Sequence, residues 1–312
     1  MKYHLEEKYS LFGLKSKLRY SKLGKKIFDC YWRSPASEVV YNIMDRLELT
    51  DGAHERKMKG AGLVKELGKS KEFFFENLRR IDYITEKLAD AKSKEVFRKA
   101  IRYRYTLDIK DRPDFCIHDQ YFPKGIIDLG DEEVFVDCGA YTGDICRSFV
   151  KNTRGRYKKI VAFEPDVENS KNINFQRCKV IEAGVWEKEG NQKFTFLNHI
   201  GSAKLKDTEA LGQCHFESNI EDFDIKVQSI DGTPDCADAT FIKMDIEGAE
   251  MAALRGARKT ILRNRPKLAI CIYHNDEDML RIPEWIINLK LGYKLYIRHH
   301  FGSRYETVLY AV

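Results

Sequence analysis

Nowhere in the 312 residues do about 18 apolar side chains follow one another, so the sequence offers no membrane-spanning helix. The first residues, MKYHLEEKYSLFGLKSK, lack the apolar centre of a signal peptide, and the expectation is a cytoplasmic protein. Eight cysteines, at 30, 116, 138, 146, 178, 214, 236 and 271, form no Cys-x-x-Cys pair. Zinc sites ordinarily use such pairs and secreted disulfide frameworks are denser, so free thiols are expected. Neither an internal repeat, a recognisable nucleic-acid module nor a Pro-Pro-Tyr-type base-flipping motif is visible, which argues against a nucleic-acid partner.

What is present is ample apolar material. Hydrophobic residues make up 43% of the chain and aromatics 12%, enough for a packed core and too much for disorder. The net charge of +6 is uneven: residues 1–120 hold 27 Lys and Arg against 19 Asp and Glu, and the rest hold 27 against 29. A solvated basic helical surface accounts for that excess most simply. An anionic partner, such as a phosphorylated substrate or a membrane surface, is the sharper alternative.

The chain divides into two parts of different periodicity. Residues 1–30 have no firm period. SPASEVVYNIMDRLEL (34–49) reads as a helix capped by Ser34 or Ser37, and Gly60, Gly62 and Gly68 interrupt the next segment. SKEFFFENLRRIDYITEKLAD (70–90) and SKEVFRKAIRYRYTL (93–107) are further helices, ended near Pro113. The domain boundary is therefore set between 112 and 113, with an all-helical region before it that offers a surface for homodimer formation. After it, VFVDCG, KIVAFEP, CKVIEAGVW, ATFIKMDIEG and PKLAICIYH alternate with helix-length stretches, the pattern of a parallel α/β sheet. Those stretches are TGDICRSFVKN, DVENSKNINFQRC, AEMAALRGARKTILRN and IPEWIINLKLGY. KFTFLNH (193–199) adds a strand after the third parallel one, and the tail forms a hairpin around Gly302 and Ser303.

The first apolar run opens into VFVDCGAYTGD, with Gly139 and Gly143 in the strand-to-helix turn. Ligands of open α/β sheets bind beyond the carboxyl ends of strands, where backbone N–H groups and the helix dipole favour an anion. Asp137 can accept from an amine, and Glu164, about 20 residues after the loop, can take both hydroxyls of a ribose. A third loop glycine, expected for a dinucleotide, is missing. An amino acid joined to a nucleoside fits better, which points to S-adenosyl-L-methionine rather than a nicotinamide cofactor.

VFVDCGAYTGD, IVAFEPD and above all FIKMDIEGAE (241–250), followed by ALRGA and PKLAICIYH, resemble the FkbM family of S-adenosylmethionine-dependent methyltransferases. The resemblance runs from about residue 121 to the end in the family's order. It implies a class I (Rossmann-like) methyltransferase fold: seven strands, the last antiparallel, with helices on both faces. Carried residue by residue, it assigns Asp137, Gly139, Tyr141, Gly143 and Asp144 to the cofactor loop and Glu164 to the ribose. Pro165 and Asp166 would lie near the adenosine, and Ala183, Gly184 and Val185 beside the adenine. The helical N-terminal region carries no family motif.

Methyl transfer from a sulfonium to a hydroxyl needs alignment and a place for the acceptor's proton. FIKMD delivers Asp245, Glu247 and Glu250 to the reactive edge, with Lys243 two residues before Asp245 on the same side of the strand. Asp245 or Glu247 is the expected base, His274 is next, and His299 and His300 come after it. Each has a plainer role beside it: Glu247 and Glu250 at their helix N-terminus, Asp245 on the cofactor ammonium, His274 within the core. Trp186 and Trp285 read as core residues. NHIGSAKL (198–205) reads equally as a substrate loop or a plain connection. Asp245, Glu247 and a histidine could also hold a divalent metal, although nothing in the spacing requires one. The expected function is O-methylation of a sugar, nucleotide-activated or not, or of a specialised metabolite. N-methylation of a small molecule and a catalytically silent binding subunit are the rivals.

Overall fold

Alternation of side chains along the buried strands sets two cores against a large sheet, one on each face, and a third, small cluster lies beside a second sheet. A computed structural model describes residues 61–116, 119–197, 202–205 and 221–312. The expected helix at 34–49, the unassigned residues 1–30 and the first half of NHIGSAKL lie outside the described residues. No described helix is long and apolar enough to cross a membrane.

Helices α1 (Ala61–Glu76), α2 (Leu78–Lys87) and α3 (Ala91–Thr106) come first. They differ from the sequence expectation in two places. Gly62 and Gly68 lie inside α1 rather than breaking it, a cost of about 1 kcal/mol each that tertiary packing absorbs. The single helix expected over 70–90 is two, parted at Asn77, whose backbone leaves helical geometry while its side chain donates to the Phe73 carbonyl at 2.8 Å. Asp90 caps α3 by accepting from Ser93 N, and Leu107 ends it in a left-handed conformation.

The sheet contains β1 (Val134–Cys138), β2 (Lys159–Phe163), β3 (Cys178–Ile181), β8 (Phe241–Met244), β9 (Lys267–Cys271), β10 (Leu295–His299) and β11 (Thr307–Ala311). Their spatial order is β10-β11-β9-β8-β1-β2-β3, and β11 runs antiparallel to both neighbours, as expected of the terminal hairpin. Val136, Cys138, Val161, Phe163, Ile242 and Met244 point to one core; Phe135, Ile160, Ala162 and Phe241 point to the other. Phe74, Ile81, Ile84, Val96 and Phe97 of the helices, with Leu88 just after α2, belong to the first of these cores. The change at residue 112 is thus one of secondary structure; α1–α3 and the sheet share their packing. Ala89 N donates to the Leu295 carbonyl at 2.8 Å, and Asp90 meets Arg298 at 2.6 Å, tying the helices to β10.

A second sheet holds β4 (Gly184–Val185), β5 (Gly190–Leu197), β6 (Ser202–Leu205) and β7 (Glu221–Gln228), in the order β4-β7-β5-β6. The inserted strand expected at KFTFLNH is β5 of this sheet, and CKVIEAGVW divides between the two sheets. Between strands lie α4 (Asp144–Asn152), α5 (Val167–Ser170), α6 (Glu250–Gly256), α7 (Arg258–Asn264) and α8 (Asp278–Asn288). DVENSKNINFQRC yields only the four residues of α5, because Asn172 turns back to the Glu168 carbonyl and Ile173 is drawn into the core. AEMAALRGARKTILRN splits at Ala257. There the Gly256 backbone presses on Trp186, whose carbonyl oxygen would stand 2.2 Å from an added Cβ.

Candidate active site

The carboxyl ends of β1, β2, β8 and β9 meet at one rim of the sheet, and the residues singled out in the sequence gather there unequally. At the end of β1, Gly139 has φ +79 and an added Cβ would lie 2.1 Å from the Asp245 carbonyl oxygen. Gly143 has φ +82, and its Cβ would meet the Phe175 ring at 2.8 Å. Both glycines are therefore demanded by the protein's own packing, at positive φ where a side chain is strained. Tyr141, between them, is exposed and also has positive φ.

Asp137 departs from its expected role. Its carboxylate is wholly buried, Oδ1 lies 2.9 Å from Lys243 Nζ, and Oδ2 accepts from the Cys146 thiol at 3.3 Å. Register explains this: Asp137 and Lys243 are direct neighbours across the β1–β8 ladder. Lys243 also donates to the Gly139 carbonyl at 2.9 Å, so it holds the glycine turn against β8. Burial opposes the lysine's charge, but Asp137 and then Asp245 raise its pKa, and it stays a cation.

Glu164 stands at the end of β2 with its carboxylate aimed at the same turn. Oε2 accepts from Tyr141 N at 2.7 Å and Oε1 from Asp166 N at 2.9 Å. One lone pair on each oxygen remains for a ligand. Burial raises its pKa, with the two backbone donors opposing. Pro165 is half-buried beside it, while the exposed Asp166 spends its carboxylate on the α5 N-terminus, accepting from Asn169 N. Asp144 is equally exposed and pairs with Arg147 one turn on. Val185 is buried in the core, and Gly184 lies against Val227 in the second sheet. Trp186 and Trp285 pack against cores, as expected.

Asp245 lies just beyond β8, its side chain 28% exposed. Tyr121 Oη donates to Oδ2 at 2.8 Å and Tyr273 Oη to Oδ1 at 3.1 Å. Burial opposes its charge, but Lys243, His274 and the two phenols together hold its pKa below the ordinary carboxylate value. Burial pushes both tyrosines well above 10, so they remain donors. The chain then turns through two residues of positive φ, Glu247 at 57° and Gly248 at 98°. That turn sends Glu247 and Glu250 to opposite edges of one imidazole. Glu250 Oε1 is 2.9 Å from His274 Nδ1, while Nε2 faces Glu247 at 3.5 Å and Asp245 at 3.4 Å.

His274 does not suit the base role expected of it. Burial disfavours its charge, yet Glu250, then Glu247 and Asp245, raise it to about 10. It is the cation that lets three acids stand together. Asp245, Glu250 and His274 are also the one group among the described residues close enough to share a metal ion, differing from the expected set by Glu250 in place of Glu247. With carboxylates on both edges of the ring, the protonated imidazole already supplies the positive charge. His299 and His300 are structural: both are buried and both rings are hydrogen-bonded on each nitrogen, to Thr307 and Ser303 and to Cys116 and Tyr310. Burial lowers them to about 3 and about 4.

Tyr121, Tyr273, Gln120 and Glu306 complete the rim and were not among the expected residues. Tyr273 adjoins His274 in CIYH, a signal that was there to be read; the other three sit in segments without motif or period. Two surface hollows, of about 420 and 430 Å³, lie elsewhere, beside Lys158–Lys159 and around Gln228–Asp235.

Known proteins share this architecture and its motifs. Residues 137–295 match the Methyltransferase FkbM domain. A solved structure, methyltransferase FkbM from Methylobacillus flagellatus KT, is 27% identical with a TM-score of 0.62, over 77% of this chain and 60% of that one. The chain therefore spans about three fifths of that relative's length. Two further structures, a pericyclic reaction enzyme and LepI in complex with SAM, are each 11% identical, at TM-scores of 0.34 and 0.30. They cover 97% and 100% of this chain and 84% and 89% of theirs, and carry no argument. No curated protein matches the chain.

Proposed function

Because this chain belongs to the FkbM methyltransferase family, we propose that it binds S-adenosyl-L-methionine and methylates a hydroxyl of a sugar or specialised metabolite. The observation that carries the reading is the contact of Asp245 with Gly139: the candidate base and the cofactor turn share one backbone junction. Bound there, the cofactor supplies a methyl group on a sulfonium, an electrophile whose thioether leaves without further activation.

The donor set supports that ligand through Glu164, whose two oxygens are pre-aligned by backbone N–H groups and fit a ribose diol. Asp137 contributes only by fixing Lys243. The chain's own residues then manage the acceptor proton. Asp245 is held ionised, and a carboxylate of low basicity suffices, because a hydroxyl oxygen that has begun to bond to carbon becomes a strong acid. Tyr121 and Tyr273 orient that carboxylate, and His274 neutralises Glu247 and Glu250 so that Asp245 faces the acceptor without their repulsion. A neutral hydroxyl acceptor needs this base more than an amine does, since a methylated amine keeps its charge.

Calorimetric titration with S-adenosylhomocysteine and, separately, NADH tests the cofactor assignment. Micromolar binding of the former alone is expected; binding of neither would favour a silent subunit, and NADH alone would overturn the reading. Asp245→Asn should leave that affinity nearly unchanged and lower the melting temperature, because Lys243 and His274 lose a counter-charge, while slowing methyl transfer about 10²–10⁴-fold. Undiminished turnover would remove Asp245 from the base role.

A further inference from the structure

Five side chains close a ring around the acceptor side of Asp245. Tyr121 Oη donates to Asp245 Oδ2 at 2.8 Å, and Gln120 Nε2 donates back to Tyr121 Oη at 3.2 Å. The same Gln120 nitrogen donates to Glu306 Oε2. Tyr273 Oη then stands between the two carboxyl groups, 3.1 Å from Asp245 Oδ1 and 3.4 Å from Glu306 Oε1. Both Gln120 protons and the Tyr121 proton are already committed. One phenolic proton is therefore shared between two facing carboxyl oxygens, Asp245 Oδ1, which also lies 3.4 Å from His274 Nε2, and Glu306 Oε1.

We propose that Glu306 is the second carboxyl of an acid–base pair with Asp245, coupled through the Tyr273 hydroxyl, and that it stores the proton taken from the methyl acceptor. This rests on the methyltransferase reading above for the source of the proton. As the acceptor oxygen bonds to the methyl carbon and the carbon–sulfur bond breaks, the O–H electron pair stays on oxygen and the proton passes to Asp245. Tyr273 takes that proton from Asp245 on its oxygen and gives its own to Glu306, so Asp245 is again a carboxylate and the phenol is unchanged. Glu306 is half-buried, so a proton held there can return to solvent.

The surroundings suit that role. Glu306 leaves the backbone at positive φ just before β11, and its carbonyl accepts from His300 N at 3.0 Å, so the side chain is held by its strand. Asp245 and the imidazolium of His274 act on it from beyond β8 and beyond β9. Cys271 and the two tyrosines, all kept neutral by burial, complete its titratable neighbours. Burial, then the charge on Asp245, raises Glu306 to about 7, whereas Asp245 is lowered. A pair of carboxyls driven apart in this way divides into donor and acceptor.

Infrared difference spectra of the ligand-free protein, titrated across neutral pH, test the pair without an acceptor. Wild type should lose one protonated-carboxyl band with a midpoint near 7, and Glu306→Gln should lack it. Asp245→Asn should move the midpoint down, because a like charge is gone, and Tyr273→Phe should move it up, because a donor is gone. A residue that merely braces the hairpin would show no dependence on Asp245. Persistence of the band in Glu306→Gln, or a midpoint indifferent to Asp245→Asn, would overturn the proposal. Binding of S-adenosylhomocysteine to the same wild-type preparation separates the outcomes. Binding with an uncoupled band sinks the pair alone; a coupled band without binding leaves the pair and sinks its assignment to methyl transfer.

Discussion

Buried carboxylate–lysine contacts stand at both ends of the central strands, and they are built differently. At the amino ends, Glu133 accepts from Lys267, from Thr240 Oγ1 and from Gly130 N at 2.8 Å, while Thr240 Oγ1 in turn accepts from Val134 N at 2.9 Å. Every polar atom of that clasp is used. At the carboxyl ends, neither nitrogen of His274, nor Glu250 Oε2, nor Asp137 Oδ1 makes a well-aligned hydrogen bond, although charges of opposite sign lie within 3.5 Å. A saturated network specifies structure; an unsaturated one in a low-dielectric setting holds charge ready for something else.

Removal of Lys243 should separate the two ends most sharply. Lys243→Met strands Asp137 in the core and takes a counter-charge from Asp245, for a loss of about 3–5 kcal/mol. For a chain of this size that is roughly 10 °C in melting temperature, measured by differential scanning calorimetry. An unchanged melting temperature would mean that Asp137 is neutral.

Acidification compares saturated and unsaturated histidines. His299 and His300 fall from an ordinary 6.5 to about 3 and about 4, so the stability they contribute is present above 6.5 and is lost as pH drops towards 4. Each costs about 1.4 kcal/mol per pH unit within its window. His274, raised to about 10, contributes in the opposite sense: its share is complete below 6.5 and declines as pH rises towards 10. Urea unfolding across pH should therefore steepen on the acid side, and His300→Gln should flatten that limb.

Glu133→Gln should cost about 1–3 kcal/mol of stability, the penalty of weakening a buried acceptor, and leave S-adenosylhomocysteine affinity untouched. Glu164→Ala should do the reverse, weakening that affinity by about 1–3 kcal/mol with little change in melting temperature. Calorimetry on the two variants decides both, and an exchange of their phenotypes would reverse the assignment of the two sheet ends.

The sheet was legible in sequence because a strand buried on both faces must be apolar throughout, as VFVDC, KIVAF, FIKM and KLAIC nearly are. The turn at Gly139 and the acids at 245, 247 and 250 were legible because they lie within a few residues of one another. Helix continuity was harder to read: Asn77 parts a helix through a side-chain bond to the Phe73 carbonyl that no periodicity shows, and the Gly256 break answers to Trp186, 70 positions away.

The sequence by itself determined which chemistry arrives at the rim, since local backbone geometry carries Asp245 past the end of β8 and bends Glu247–Gly248 into positive φ. Only the tertiary structure decided what that chemistry is worth. Strand register set Lys243 beside Asp137 and turned a supposed ligand contact into a buried ion pair. Folding of β9, the β11 approach and the 120–121 segment onto one rim gave Asp245 two phenols, and gave His274 three carboxylates that convert a base into a fixed cation. The charge state of a buried group depends on partners distant in the chain, and distance in the chain is what a sequence does not measure.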